Sequence, residues 1–191
     1  MSKPTRIIGI AGTNGSGKDT LGELLASDFD WLFISVTDLL RAEAKKRGLP
    51  TERQYTSQIS AEWRRESGLG VLIDKAVEQY EKQNQEYKGL VISSLRNPGE
   101  VDEVHVLGGE VVWIDADPKL RYQRATSRGR GSEDNKTFKQ FMTEEAEEMN
   151  QGGDSATLNM AGVKQKCDIF IINNGDDLTD FKSLIKQELK L

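Results

Sequence analysis

A glycine-rich stretch that ends in a lysine is the part of this sequence best suited to bind an anion. It reads GTNGSGK and spans residues 12–18. Glycines let the backbone turn sharply and bring several N–H groups close to one anion. The lysine adds a positive charge that can reach the terminal phosphates of a nucleotide. These residue types at this spacing therefore predict a phosphate-binding loop.

The neighbouring segments place this stretch between a strand and a helix. Residues 6–11 form a short apolar, β-branched run typical of a buried strand, and residues 21–26 carry apolar side chains at helical spacing. The N-terminus of that helix would direct its N–H groups and positive dipole at a bound phosphate. A dinucleotide-binding loop needs GxGxxG, whereas here the glycines fall as GxxGxG before Lys18. We therefore prefer a phosphate loop to a dinucleotide-binding loop or an ordinary glycine-rich turn.

The residues after Lys18 depart from the general motif. A Ser or Thr that binds magnesium normally follows the lysine, but Asp19 stands there and Thr20 comes one position later. In this respect the loop resembles that of nucleoside monophosphate kinases and the similar dephospho-coenzyme A kinases, which often read GxxGSGKxT. The resemblance implies ATP and Mg²⁺ as cofactors, with Thr20 holding the metal. It implies ATP contacts for eight residues of the loop and helix start: Gly12, Asn14, Gly15, Ser16, Gly17, Lys18, Asp19 and Thr20.

Two further stretches resemble the acceptor site of these kinases. The segment SVTDLLR, residues 35–41, is similar to the ISTGDxLR stretch of adenylate kinases, which implies that Thr37 and Arg41 contact the acceptor. Thr37 is also the expected N-cap of the helix that begins there. Arg96 follows a buried strand and matches the family's acceptor-phosphate arginine. The planar fork of an arginine suits a phosphate.

Other positions depart from the family pattern and leave the acceptor open. The strand-end acid that commonly orders water on magnesium is replaced by Ser93 or Ser94. Glu100 stands where adenylate kinases carry an adenine-reading glutamine, so specificity for AMP is not implied. Weaker candidates for acceptor contacts are three arginines of the next helical segment: Arg53, Arg64 and Arg65.

A basic helix late in the chain resembles the lid of these kinases. Arg124 and Arg128 lie one helical turn apart and so share a face, and they match the RxxxR whose cations meet the phosphoryl group during transfer. Together with Lys18 they are the predicted catalytic residues, and Arg121 is a candidate to assist. A short lid is expected at about residues 128–137. The alternative is a basic helix face solvated by water.

Two later stretches of the sequence are a glutamate-rich helix, predicted to be solvated, and a final strand and turn, predicted to lie near ATP. The glutamates of the helix predicted over residues 137–149 are expected to form a solvated face: Glu144, Glu145, Glu147 and Glu148. The stretch CDIFIINNG, residues 167–175, resembles the end of dephospho-coenzyme A kinases near the donor base, which implies an ATP contact for Asn174. A guanine-nucleotide switch would need NKxD, and residues 173–176 read NNGD.

The composition argues against a nucleic-acid-binding protein, a membrane protein and a protein with a metal site built from several cysteines or histidines. The 191 residues are 36% hydrophobic and 30% charged, with a net charge of −5, so a nucleic-acid polymer is a poor partner. No apolar run approaches the ~20 residues that a membrane span needs. One cysteine and one histidine exclude multi-thiolate and multi-histidine metal sites, and they fit a reducing, cytoplasmic location.

The alternation of strand and helix segments predicts an α/β protein with a parallel sheet and helices on both faces. The resemblance implies the P-loop three-layer α/β/α sandwich, with five strands in the order 2-3-1-4-5. We expect a single domain over residues 1–191, with a helical acceptor-binding insertion at about residues 37–88. The oligomeric state is expected to be a monomer or a homodimer.

The predicted function is ATP-dependent transfer of the γ-phosphate to a small phosphorylated acceptor, foremost a nucleoside or deoxynucleoside monophosphate. A dephospho-coenzyme A kinase is the first alternative; its acceptor offers a hydroxyl, and Asp19 or Asp38 would be the candidate base. A nucleotide-binding protein without catalysis is the second alternative, because Asp19, Ser93 and Ser94 depart from the usual magnesium positions.

Overall fold

A five-stranded parallel sheet forms the centre of the protein. The computed structural model describes residues 4, 6–83, 86–127, 136–149, 152–175 and 177–191. The strands are β1 (Ile7–Gly12), β2 (Trp31–Ser35), β3 (Gly89–Ser93), β4 (Glu110–Asp115) and β5 (Ile169–Ile172). Their order is β2-β3-β1-β4-β5, and every neighbouring pair is parallel. The predicted order 2-3-1-4-5 is confirmed.

Helices cover both faces of this sheet. In chain order they are α1 (Lys18–Phe29), α2 (Val36–Lys46), α3 (Arg53–Ser67), α4 (Val71–Glu81), α5 (Pro98–Val106), α6 (Pro118–Ser127), α7 (Phe138–Met149), α8 (Met160–Lys166) and α9 (Leu178–Leu189). One core packs α1 and α9 against the face that carries Ile10 and Ile114. The other packs α2 to α5 and α8 against the face that carries Ile92 and Trp113. β1 and β3 are buried along their whole length, which explains the near-continuous apolar runs at these positions of the sequence.

The register of the sheet brings the C-terminal ends of four strands to one edge. Ser93 at the end of β3 pairs with Ser35 of β2 and with Ile10 of β1, and Gly12 pairs with Ile114 of β4. Ligands of open α/β sheets bind at this edge, because the loops that follow the strands meet there.

Helices α2 to α4 lie between β2 and β3, in the range predicted for the helical insertion. β2 passes directly into α2, whose N-cap is Ser35, so the prediction that Thr37 caps this helix is wrong. Thr37 lies in the first turn instead. Of the predicted lid, only Lys136 and Thr137 belong to the described residues. In the described ranges, no helix is long and apolar enough to span a bilayer.

Candidate active site

The glycine-rich loop joins β1 to α1 and lies against the end of β4. Gly12, Gly15 and Gly17 have φ angles of 143°, 78° and 104°. A Cβ atom on Gly12 would lie 2.0 Å from the carbonyl oxygen of Ile114, and one on Gly15 would lie 2.3 Å from that of Arg121. Only glycine fits these positions, because both the backbone angles and the close approach exclude a side chain. The loop ends at Gly17, the N-cap of α1.

Short polar contacts hold the loop in this shape. The Thr13 hydroxyl donates to Oδ1 of Asp115 at 2.8 Å, which ties the loop to the end of β4. The carbonyl oxygen of Thr13 accepts from the Ser16 hydroxyl at 2.8 Å and from the Lys18 ammonium at 2.6 Å. The Lys18 charge therefore lies at the loop, in the cleft that the loop lines. The N–H groups of the first turn of α1 have no intrahelical acceptor, so they add donors beside that charge.

The segment that follows β5 packs against the phosphate loop. The Asn173 side-chain amide donates to the Ser16 carbonyl at 2.9 Å. Asn174, predicted to contact ATP, is exposed, and its Oδ1 accepts from the Asp117 N–H at 2.7 Å. Arg124 donates to the carbonyl oxygens of Asn173 at 2.9 Å and Gly175 at 2.5 Å. Arg124 therefore orients this segment, and its assignment to phosphoryl transfer stays a prediction. Arg128 lies outside the described residues.

Arg121 is the arginine of α6 that packs against the phosphate loop. Its side chain is buried, Nε donates to the Ala116 carbonyl at 2.8 Å, and Nη2 donates to Glu145 at 2.8 Å. Nε also lies 3.3 Å from Oδ1 of Asp115. Arg121 and Ala125 lie one turn apart and are the buried residues of α6. An arginine and an alanine do not form an apolar stripe, so the sequence gives only a weak signal for which face of α6 is buried.

A cleft of about 1140 Å³ extends from the phosphate loop to helices α2, α3 and α7. Thr37 and Arg41, both predicted to bind the acceptor, line its wall, as does Asp38. Nη1 of Arg41 lies 3.2 Å from Oδ1 of Asp38 in a partly exposed ion pair. The structure thus brings the phosphate loop and these acceptor candidates into one cavity.

Arg96, the third acceptor candidate, follows β3 and lines the same cleft. Its Nη1 donates to Oε2 of Glu148 at 3.0 Å, and Arg53 contacts the other oxygen of this carboxylate. Burial, and then the nearby Arg53 guanidinium, lower the pKa of Arg96. Burial penalises a charge of either sign, whereas the second guanidinium group favours a negative charge at this position.

Helix α7 brings its glutamates to the cleft. Glu145 pairs with Arg121, Glu148 with Arg53 and Arg96, and Glu144 with Lys136. The prediction of a solvated acidic face is therefore wrong for Glu145 and Glu148, whose side chains are mostly buried, whereas the Glu144 side chain is 41% exposed. The physical reason is the position of α7, which packs its buried Phe141 inwards and so turns the same side of the helix towards the cations.

A buried ion pair lies beneath the acceptor end of the cleft. Nη2 of Arg64 donates to Oε1 of Glu100 at 2.7 Å, and Nη1 donates to the Ala156 carbonyl at 2.9 Å. Oε2 of Glu100 accepts from the N–H groups of Arg96 at 2.7 Å and Asn97 at 3.1 Å. Arg64 therefore positions the segment that carries Arg96. Arg65 pairs with Asp154 on the exposed surface at 2.8 Å.

The end of β3 carries hydroxyl groups where the family resemblance implies an acid. Ser93 is fully buried, and its Oγ has no hydrogen-bond partner in the described part of the chain. Ser94 lines the cleft with a φ of 71°, a strained value for a residue with a side chain. Among the described residues, no group of three or more His, Cys, Asp or Glu could hold a metal ion. The assignment of Thr20 as a magnesium ligand stays a prediction.

Comparisons with known proteins place this chain among related sequences. Residues 8–151 match a family described as an AAA domain. A UPF0200 protein of Pyrococcus abyssi is 32% identical over 183 residues, which cover 92% of this chain and 91% of the relative. A UPF0200 protein of Pyrobaculum aerophilum is 29% identical over 185 residues and 96% of each chain.

Solved structures support the fold. A shikimate kinase from Bacteroides thetaiotaomicron aligns with a TM-score of 0.62 at 14% identity, over 97% of this chain and 99% of its own. A shikimate kinase from Acinetobacter baumannii in complex with shikimate aligns with a TM-score of 0.54 at 15% identity, over 97% and 93%. At these identities the comparison establishes a P-loop kinase fold.

Proposed function

The chain belongs to the AAA domain family and to the UPF0200 family, and from this premise we propose that it is an ATP-dependent phosphotransferase. The acceptor is a small phosphorylated molecule, foremost a nucleoside or deoxynucleoside monophosphate. Both substrates are small molecules, so the proposed activity needs no nucleic-acid polymer.

The observation that carries the proposal is the set of residues that line the cleft. Its volume of about 1140 Å³ exceeds the roughly 300–1,000 Å³ of a typical one-ligand site. The phosphate loop lines one end, and arginines from α2, α3 and the segment after β3 line the other. A donor triphosphate and an anionic acceptor would therefore meet between two groups of positive charge. Phosphoryl transfer needs mainly such positioning and charge neutralisation.

On this proposal the donor half binds ATP through the loop, Lys18 and the start of α1. Asn174 is proposed to lie near the donor base, and Arg124 to act with Lys18 and Arg128 on the phosphoryl group. Bound Mg²⁺ supplies charge neutralisation on the phosphates, and the hydroxyl of Thr20 is its proposed protein ligand. Asp19 lines the cleft beside Thr20 and is the acidic residue nearest to it along α1.

Thr37, Arg41 and Arg96 are proposed to bind the acceptor. A monophosphate acceptor attacks with an oxygen that is already anionic, so no protein base is needed. A dephospho-coenzyme A acceptor attacks with a hydroxyl, and Asp19 or Asp38, which both line the cleft, is then the proposed base. A protein that binds nucleotide without transfer is favoured by one observation, the pair of serines at the end of β3.

The test is an acceptor screen with purified protein. ADP formation from ATP and Mg²⁺ is followed with each ribo- and deoxynucleoside monophosphate, with dephospho-coenzyme A, and with shikimate as a carboxylate-bearing comparison. We expect ADP formation that depends on a phosphorylated acceptor and is lost in Lys18→Ala. ATP binding without acceptor-dependent ADP formation would reject the enzyme and leave the nucleotide-binding protein.

A further inference from the structure

Two arginines hold one glutamate carboxylate inside the cleft. Oε1 of Glu148 contacts Nη1 of Arg53, and Oε2 accepts from Nη1 of Arg96 at 3.0 Å. The three residues come from α3, the segment after β3 and α7, and all three line the cleft. An internal carboxylate therefore occupies a position that two guanidinium groups define.

The charges in this cluster do not balance. Two guanidinium groups contact one carboxylate, and Glu100, a further carboxylate that acts on Arg96, is paired with Arg64. Nη2 of Arg53 is buried and has no hydrogen-bond partner among the residues that the structure describes. A buried donor without an acceptor costs free energy. The cluster thus has room for one more negative charge and one more acceptor oxygen.

We propose that Arg53 and Arg96 form a subsite for the phosphate group of the acceptor, and that the Glu148 carboxylate occupies this subsite until the acceptor enters. The inference rests on the proposed function, which supplies an acceptor. It adds Arg53 as a binding residue and Glu148 as an internal competitor. The acceptor therefore gains only the difference between its own interaction with the two arginines and that of Glu148.

The charge imbalance selects a phosphate monoester over a carboxylic acid. A phosphate monoester carries about −1.5 to −2 charges at pH 7 and three terminal oxygens. It can therefore neutralise both guanidinium groups and also accept from Nη2 of Arg53. A carboxylate has one charge and two oxygens, so it only replaces what Glu148 already provides. An acceptor without a phosphate group gains little over Glu148, so it should bind more weakly than a phosphorylated one.

The test is a titration of inorganic phosphate into protein that carries ¹⁵N-labelled arginine. The Nε–H resonances of Arg53 and Arg96, identified with Arg53→Lys and Arg96→Lys, report binding at this subsite separately from binding at the glycine-rich loop. Glu148→Gln removes the competing charge with little change in size. We expect the phosphate Kd at both resonances to fall about tenfold. Glu66→Gln, an exposed position of α3 that does not line the cleft, is the matched control and should keep the wild-type Kd.

Glu148→Ala provides a second variant without the competing carboxylate and should also bind phosphate more tightly. A Kd that is unchanged or higher in both variants overturns the proposal. So does the absence of phosphate-dependent shifts at both resonances in every variant. Acetate, titrated in parallel, should bind at least tenfold more weakly than phosphate, and equal affinities overturn the preference for a phosphate. None of these results depends on turnover, so tightened phosphate binding without ADP formation rejects the catalytic function and keeps the subsite.

Discussion

The phosphate loop at one end of the cleft is shaped by backbone, whereas the opposite end is shaped by charged side chains. The loop depends on glycines whose Cβ atoms would collide with carbonyl oxygens of β4 and α6. The acceptor end depends on ion pairs between segments far apart in sequence, such as Arg96 with Glu148 and Arg64 with Glu100. A backbone site is ready before the ligand arrives. On our proposal, by contrast, Arg96 exchanges Glu148 for the acceptor when the acceptor enters.

The largest expected effect follows from removing the buried cation beneath the acceptor end, on which the side-chain end of the cleft depends. Arg64→Met leaves Glu100, which is fully buried, without its partner. Removing one member of a buried pair costs about 3–5 kcal/mol, so the free energy of unfolding should fall by that amount. Urea unfolding followed by circular dichroism measures it. Arg65→Met, which breaks an exposed pair, is the control and should leave the unfolding midpoint nearly unchanged. Equal losses in the two variants would contradict a special role for the buried pair.

The donor end is tested by Lys18→Ala. Removing one preorganised donor to developing charge costs ~10²–10³ in kcat, or roughly 3–4 kcal/mol, while the fold stays intact. Steady-state kinetics with saturating acceptor, together with a thermal melt, measure both effects. Lys119→Ala, an exposed lysine of α6, should keep wild-type kcat. Near-normal turnover in Lys18→Ala would remove the phosphate-loop assignment.

Arg96→Lys distinguishes acceptor binding from ATP binding. Lysine keeps the charge but loses the planar fork, so the KM for the acceptor should rise about tenfold to a hundredfold, or roughly 1.5–3 kcal/mol. The affinity for ATP should stay near the wild-type value. Separate titrations of ATP and acceptor decide the matter. A collapse of ATP binding would place Arg96 in the donor half.

The smallest expected effect concerns Arg124. If this arginine acts on the phosphoryl group, Arg124→Ala lowers kcat about tenfold and changes the KM for ATP less. If its contacts with Asn173 and Gly175 are its whole contribution, the KM for ATP rises and kcat stays constant. Initial rates over a matrix of ATP and acceptor concentrations distinguish the two outcomes, and the second would leave Lys18 without Arg124 as a catalytic partner.

The same contrast explains what the sequence could predict. The phosphate loop was found because a backbone that needs positive φ at fixed positions leaves glycines at a fixed spacing. The sheet order came from the family resemblance and was confirmed. The prediction of a solvated face on α7 fails because nothing within residues 138–149 shows that Arg53, Arg96 and Arg121 lie beside that helix. Ion pairs between distant segments become visible only when tertiary structure brings them together.

The pairing of Arg64 with Glu100 also limits how the helical insertion can be seated on the sheet. Arg64 belongs to α3 of the insertion, and Glu100 belongs to α5 next to β3. If α3 docked one helical turn out of place, the Glu100 carboxylate would stay in the core with no cation opposite it, at a cost of several kcal/mol. Apolar contacts alone tolerate such shifts more readily. The ion pair therefore favours the correct docking of α3 over docking that is shifted by a turn. Because Glu100 also binds the N–H of Arg96, the correct docking of α3 helps to hold Arg96 at the cleft.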